Sequence, residues 1–125
     1  LRWTMATATQ KRVPPLNDWL VYRGRFVNVI FLLQSGEQEY LIRIHEGAIE
    51  SIQSGPFVMP RWTFRLSADA VAWQKHFDST PTPGYHDLMA MIKFKHLRLE
   101  GDQHMFMSNL LYFKELVQSL AEVVQ

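Results

Sequence analysis

The period of the apolar positions changes along the chain and separates a sheet-forming stretch from a helix-forming one. Phe26 to Leu33 is apolar on both pleat faces except at Asn28, the pattern of a central strand covered on both sides. Ser35-Gly36 turns the chain. Tyr40, Ile42 and Ile44 then alternate with Leu41, Arg43 and His45, which is period two. Glu46-Gly47 is a two-residue hairpin turn, with the glycine supplying a positive φ. Ala48 to Ser54 is weaker and more polar, which predicts an edge strand. A loop punctuated by Gly55-Pro56 and Pro60 carries Phe57, Val58 and Met59. Beyond it Trp62, Phe64 and Leu66 alternate with Arg61, Thr63 and Arg65, predicting a strand with one dry and one wet face.

Helical spacing follows. Ser67 is placed to cap a helix, Asp69 suits its first turn, and Ala70, Trp73 and Phe77 share one face. The run Ser79-Thr80-Pro81-Thr82-Pro83-Gly84 ends it. Tyr85 to Ile92 predicts a short helix with Leu88, Met89 and Ile92 on one side. Lys95 to Glu100 predicts a strand with Leu97 and Leu99 inward and His96, Arg98 and Glu100 outward. Gly101-Asp102 breaks it and caps one long helix over Asp102 to Val124. Its stripe is Phe106, Leu110, Phe113, Val117, Leu120 and Val124, widened by Met107, Leu111 and Leu116. Upstream, Pro14-Pro15 sets up a helical turn through Leu16, Trp19 and Leu20, with Asn17 and Asp18 near its start. Leu1 to Val13 has no clear period and reads as an arm, and Trp3 suggests that it packs on a neighbour. The division expected is an arm and short helix over residues 1–20 and a folded domain over 21–125.

Composition adds one unusual feature. In 125 residues there are four Trp, eight Phe and six Met, more bulky apolar material than so small an interior readily absorbs. A hollow or a contact surface is the expected consequence. The formal net charge is +1, which gives no electrostatic footprint for nucleic acid. The absence of Cys excludes disulfides and thiolate chemistry and permits a reducing compartment, so a cytoplasmic location is expected. The longest apolar run, Val29 to Leu33, is far too short to span a bilayer.

The stretch from Trp62 reads W-T-F-R-L-S-A-D-A-V-A-W, then a Pro/Gly loop, then K-F-K-H-L-R-L-E-G-D, then the terminal helix. This resembles the sterol-binding domain of the sterol carrier protein type two family, and Ile44-His45-Glu46-Gly47-Ala48-Ile49 looks like that family's strand turn. The match spans about residues 26 to 120 and contains no invariant chemical group. Two departures stand out: Pro14-Pro15 replaces a long N-terminal helix, and Lys95 stands where members often carry Gly. The resemblance implies an α+β fold, with a five-stranded, mostly antiparallel sheet covered by helices and an apolar tunnel between them for sterol, fatty-acyl or phospholipid ligands. The lining it suggests is Phe31, Trp73, Phe77, Leu88, Met89, Ile92, Phe106, Leu110, Phe113 and Leu116, although plain core packing explains each equally well.

Chemistry is harder to find. His45, His76, His86, His96 and His104 form no paired ligand spacing, so no metal is expected, and His86 reads as a cap of the short helix. Asp69, Asp78, Asp87, Glu100 and Asp102 sit at turns and caps. Ser67 and Ser108 have no evident His partner, and Gly84 and Gly101 stand alone without a phosphate loop. Arg61, Arg65 and Arg98 share the wet sheet face, either as solvated side chains or as guides for an anionic headgroup; Arg98 or Asn109 is the candidate for orienting a ligand head. The expectation is therefore a non-catalytic binder of a lipid or other apolar small molecule, without cofactor, nucleic acid or membrane span. Transient membrane contact, a homodimeric interaction domain that buries Trp3 and Trp19, and an accessory domain of a larger enzyme are the alternatives left open.

Overall fold

A computed structural model describes residues 9–80 and 82–124. Its sheet has six strands: β1 (Thr9–Lys11), β2 (Val29–Ser35), β3 (Gln38–His45), β4 (Ala48–Ser54), β5 (Phe64–Ala68) and β6 (Arg98–Gly101). The helices are α1 (Asp18–Arg23), α2 (Ala70–His76), α3 (Leu88–Lys93), α4 (Gln103–Ser108), α5 (Leu110–Ser119) and α6 (Ala121–Val124). The strand order is β1-β4-β3-β2-β5-β6. β2, β3 and β4 form an antiparallel meander, whereas β5 pairs with β2 in parallel. The sheet is thus mixed and six-stranded, not five-stranded.

The sixth strand comes from the arm. Thr9, Gln10 and Lys11 pair with Ser54, Gln53 and Ile52, so β4 is covered over that length and is not the edge its polarity suggested. The packing of Trp3 lies outside the described residues.

β2 starts three residues later than the apolar run, because the chain is still leaving α1. Val27 N–H donates to Gly24 O, and Val27 O accepts from Gly47 N–H at the β3–β4 turn. That turn is the one expected: Glu46 has φ 50 and Gly47 φ 83. A Cβ on Gly47 would fall 2.5 Å from Val21 O, so the close approach of α1 also requires glycine there.

One sheet face carries the core. Val29, Phe31 and Leu33 of β2, Ile42 and Ile44 of β3, and Phe64 and Leu66 of β5 are buried against Leu20, Trp73, Leu88, Met91, Phe106, Phe113, Leu116 and Val117 of the helices. Phe31 stacks on Phe64 at 5.1 Å, and both meet the edge of Phe113 at 5.9 and 5.0 Å. Phe106 closes the group at 5.4 Å from Phe64 and 5.7 Å from Phe113. Such edge and offset contacts add about 0.5–1.5 kcal/mol per pair beyond burial.

Three helical expectations are corrected. Ser67 does not cap α2: β5 runs on to Ala68, pairing Ser67 with Gln34 and Arg98, and Asp69 is the residue at the cap. α3 is capped by Asp87, whose side chain accepts from Met89 N–H, and not by the exposed His86. The single long C-terminal helix is three helices, interrupted at Asn109 and Leu120. Asn109 donates its side-chain amide back to Met105 O, a local bond that competes with helical continuation. Met107 and Leu111 are exposed, so only Leu116 of the three widening residues reaches the core.

Candidate functional site: a cleft beside Trp73 and Phe77

The proposed lining residues fall into two groups. Phe31, Trp73, Leu88, Phe106, Phe113 and Leu116 are fully buried. Phe77, Met89, Ile92 and Leu110 are half-buried against the same cluster. The space between sheet and helices is occupied by the interlocked rings of Phe31, Phe64, Phe106 and Phe113.

Two surface clefts flank the helix layer. The larger, about 620 Å³, is bordered by α2 and by Val124 of α6 at the C-terminal end of β2. It is lined by Ser35, Ala70, Trp73, Gln74, Phe77, Asp78, Ser79 and Val124. This volume lies within the range of small-molecule sites. Its apolar wall is Phe77, with the buried Trp73 stacked behind it at 5.8 Å and 16° between planes. The indole is fixed by its Nε1–H, which donates to Gln34 O at 2.8 Å. Helical spacing found both aromatics; Gln74, Asp78 and Ser79 carry no pattern that marks them as rim residues.

The second cleft, about 480 Å³, is lined by more charged side chains, among them Asp87, Lys114 and Glu115, and holds only Leu88 of the expected lining. His76 Nδ1 lies 2.8 Å from Tyr85 O, and its Nε2 lies 3.1 Å from the Gln118 side-chain nitrogen. This pairing assigns the neutral imidazole with the proton on Nδ1 and an acceptor at Nε2. Burial pushes the His76 pKa down, against the raising effects of the Tyr85 carbonyl and Asp87. Lys114 donates to Asp87 at 3.1 Å. Burial alone would raise Asp87, but the Met89 N–H and Lys114 outweigh it and leave the carboxyl below its ordinary value.

The remaining candidates are dispersed. His45 lies beside Glu46, and His96 stacks on Tyr85 at 4.2 Å. Ser108 does have a histidine partner, since its Oγ lies 3.2 Å from His104 Nε2, one helical turn away. Both groups are exposed, and no carboxylate bonded to His104 accompanies them among the described residues, so the pair lacks the orienting third member of a nucleophilic triad. No group of three His, Asp or Glu converges among the described residues. On the opposite sheet face Arg65 is held by Glu100, and Arg65 and Arg98 border a shallow cleft of about 400 Å³ with Lys95 and His96. Arg61 is exposed and precedes β5. No described helix is long and apolar enough to cross a membrane.

The architecture has known counterparts. Sterol carrier protein 2 superposes with a TM-score of 0.60 over 86% of this chain and 84% of its own, at 13% identity. A conserved hypothetical protein from Thermus thermophilus, described as possibly a sterol carrier protein, gives 0.57 over 86% and 75%, also at 13% identity. The UbiJ-SCP2 ubiquinone synthesis protein gives 0.52 over 90% and 85%, at 15% identity. No family model and no curated protein sequence matches the chain. The likeness therefore lies in the fold: this chain has the α+β fold of sterol carrier protein 2, as its sequence pattern suggested.

Proposed function

We propose that the domain is a non-catalytic binder of a sterol, fatty-acyl or other lipid ligand, seated in the cleft between α2 and α6. The Phe77 ring, half-buried and backed by the buried Trp73, carries this reading, because it presents apolar surface inside a concave site of ligand size. Affinity would come from burying the ligand's hydrocarbon, at about 25 cal/mol per Å². The Gln74 amide and Ser79 hydroxyl at the rim supply donors and acceptors for a head group, and Asp78 repels a carboxylate there. Among lipids the cleft therefore favours a neutral head, such as an alcohol or carbonyl, over an anionic one. Phe31, Phe106, Phe113 and Leu116 form the core behind this wall. In the second cleft the Ser119 hydroxyl donates to Glu115 O and not to His76 or His86, so among the described residues neither cleft holds a hydrogen-bonded nucleophile and base, which supports a binding role over a catalytic one.

A second reading, an accessory domain serving a larger enzyme system, is favoured by the likeness to a ubiquinone synthesis protein. It is compatible with the first, since a carrier presents its ligand to an enzyme.

The test is native mass spectrometry of the purified protein, followed by delipidation and titration with a fluorescent sterol and a fluorescent fatty acid. Saturable binding, tighter for the neutral sterol and weakened by Phe77→Ala, is expected. Neither co-purified lipid nor saturation by either probe would remove the lipid-binding reading.

A further inference from the structure

A further cleft, about 380 Å³, lies where the N-terminal segment meets the last helix. It is lined by Lys11 of β1, by Arg12, Pro14 and Pro15 just after it, by Tyr40 of β3, and by Glu122 and Val123 of α6. It shares no lining residue with the cleft beside Phe77, so nothing argued here rests on the lipid-binding reading. Tyr40 is its unusual member. The residue is only 7% exposed and packs in the core, yet its hydroxyl has no hydrogen-bond partner among the described residues. Tyr112, also buried, has one in Gly47 O. Among the described residues no sealed side-chain oxygen lacks a partner, so the Tyr40 hydroxyl keeps an opening, and the cleft it lines supplies one. Burial pushes the phenol above its ordinary pKa, so at neutral pH it is an uncharged donor without an acceptor.

The surroundings define the missing acceptor. Lys11 and Arg12 are exposed, and among the described residues neither forms an ion pair with Glu122 or any other carboxylate. Two unpaired cations and a phenol donor favour an oxyanion. Glu122 opposes a second negative charge there, so a monoanion fits better than a phosphate dianion. The rest of the wall is apolar. Pro14 and Pro15 have no N–H to offer, and their rings, with the Val123 side chain and the Tyr40 ring, give hydrocarbon contact. The prolines also hold that wall in a restricted backbone conformation, which lowers the entropy lost on binding. The volume is near the lower end for small-molecule sites and suits a compact body rather than a long chain. We propose that this cleft binds a small organic acid, one carboxylate on a compact apolar body. Tyr40, Lys11 and Arg12 hold the carboxylate, and Pro14, Pro15 and Val123 contact the body.

Two-dimensional NMR of the full chain, titrated with benzoate and with cyclohexanecarboxylate, tests it. Both acids produce saturating amide shifts at Lys11, Arg12, Tyr40, Glu122 and Val123. Benzamide, which has the shape of benzoate without the charge, binds about tenfold more weakly. Tyr40→Phe keeps the ring and weakens both acids about tenfold, the loss expected for one hydrogen bond to a charged group. Because that hydroxyl has no partner among the described residues, the variant's urea midpoint stays at or above the parent's, which separates lost ligand contact from lost fold. Arg12→Gln weakens both acids about fivefold. Absence of saturating shifts with either acid, shifts centred on Ser35 and Ala70 to Ser79, equal binding of benzamide, or variants that bind like the parent would overturn the proposal. So would inorganic phosphate binding as tightly as benzoate, which would reduce the cleft to surface charge.

Discussion

Tyr112 joins α5 to the β3–β4 turn through its hydroxyl and to the end of α1 through its ring. It is buried, and its OH donates to Gly47 O in the β3–β4 turn at 2.5 Å. Its ring lies so close to Gly24 that a Cβ there would fall 2.2 Å from Cε1. Burial pushes the phenol pKa far up, so the group remains a neutral donor at any working pH. Tyr112→Phe keeps the ring and removes the donor. The Gly47 carbonyl, on a buried residue, then loses its partner. An acceptor left unsatisfied away from water costs about 1–3 kcal/mol, more than the ~1 kcal/mol net worth of an ordinary hydrogen bond. For a domain of this size each kcal/mol lowers Tm by about 3–6 °C. Urea titration followed by circular dichroism measures the loss directly, with an unchanged slope showing that the unfolded state is not involved. Hydrogen exchange adds a local readout, because the Gly47 and Val27 amides should lose protection first. A midpoint within error of the parent would refute the reasoning and mean that water replaces the hydroxyl. Gly24→Ala is the steric counterpart: it drives a methyl into a ring that cannot retreat from a packed core, so its cost should exceed that of Tyr112→Phe.

Other expectations follow from single contacts. Phe113→Ala deletes a ring touching Phe31, Phe64 and Phe106, and should cost about 3–5 kcal/mol in denaturant titration. Trp73→Phe removes the indole donor to Gln34 O and should cost about 1–3 kcal/mol in the same assay; a neutral result would show that the carbonyl is hydrated. Because the His76 pKa is depressed in the folded state, its contribution is present above its ordinary value of 6.5 and is lost as pH falls below it. Stability measured from pH 7 downward should therefore decline through that window, and His76→Gln should flatten the decline. Asp87→Ala removes both the α3 cap and the Lys114 ion pair, and should cost about 1–2 kcal/mol at neutral pH by thermal melting.

What the sequence disclosed follows the range of the interactions involved. β4 matches its expected limits, Ala48 to Ser54, and the Glu46-Gly47 turn adopts the positive φ values its residues favour. Both depend on neighbours in the chain. The parallel pairing of β5 with β2 was not legible, because alternation identifies a strand's faces and not its partner. β1 was missed for a similar reason: three residues in a Thr- and Ala-rich segment have no period, and β4 supplies the partner from a distant part of the chain. The C-terminal stripe from Phe106 to Val124 reads as one helix because the breaks at Asn109 and Leu120 barely disturb its spacing. Lys95 adopts φ 64 where the resemblance points to glycine, so the chain keeps the turn without its usual residue. The candidate site was partly legible. Helical spacing reached Trp73 and Phe77, but an apolar stripe does not distinguish a cleft wall from core, and the rim residues come from turns and strand ends that only the fold brings together. The fold divides the bulky apolar residues between an interlocked interior and exposed positions, among them Trp19, Tyr22 and Phe26 around α1, Met59 before β5 and Phe94 after α3.

The location of a bound apolar ligand tests the account most directly. Backbone amide shifts are followed by two-dimensional NMR while a short-chain sterol analogue with a neutral head is titrated into the delipidated domain. The account predicts saturating shifts concentrated at Ser35, along Ala70 to Ser79 and at Val124, with the Trp73 indole proton among the most affected. Shifts centred instead on the strands and helices around Phe31, Phe106 and Phe113, or no saturating shifts, would contradict a ligand site at the α2–α6 cleft.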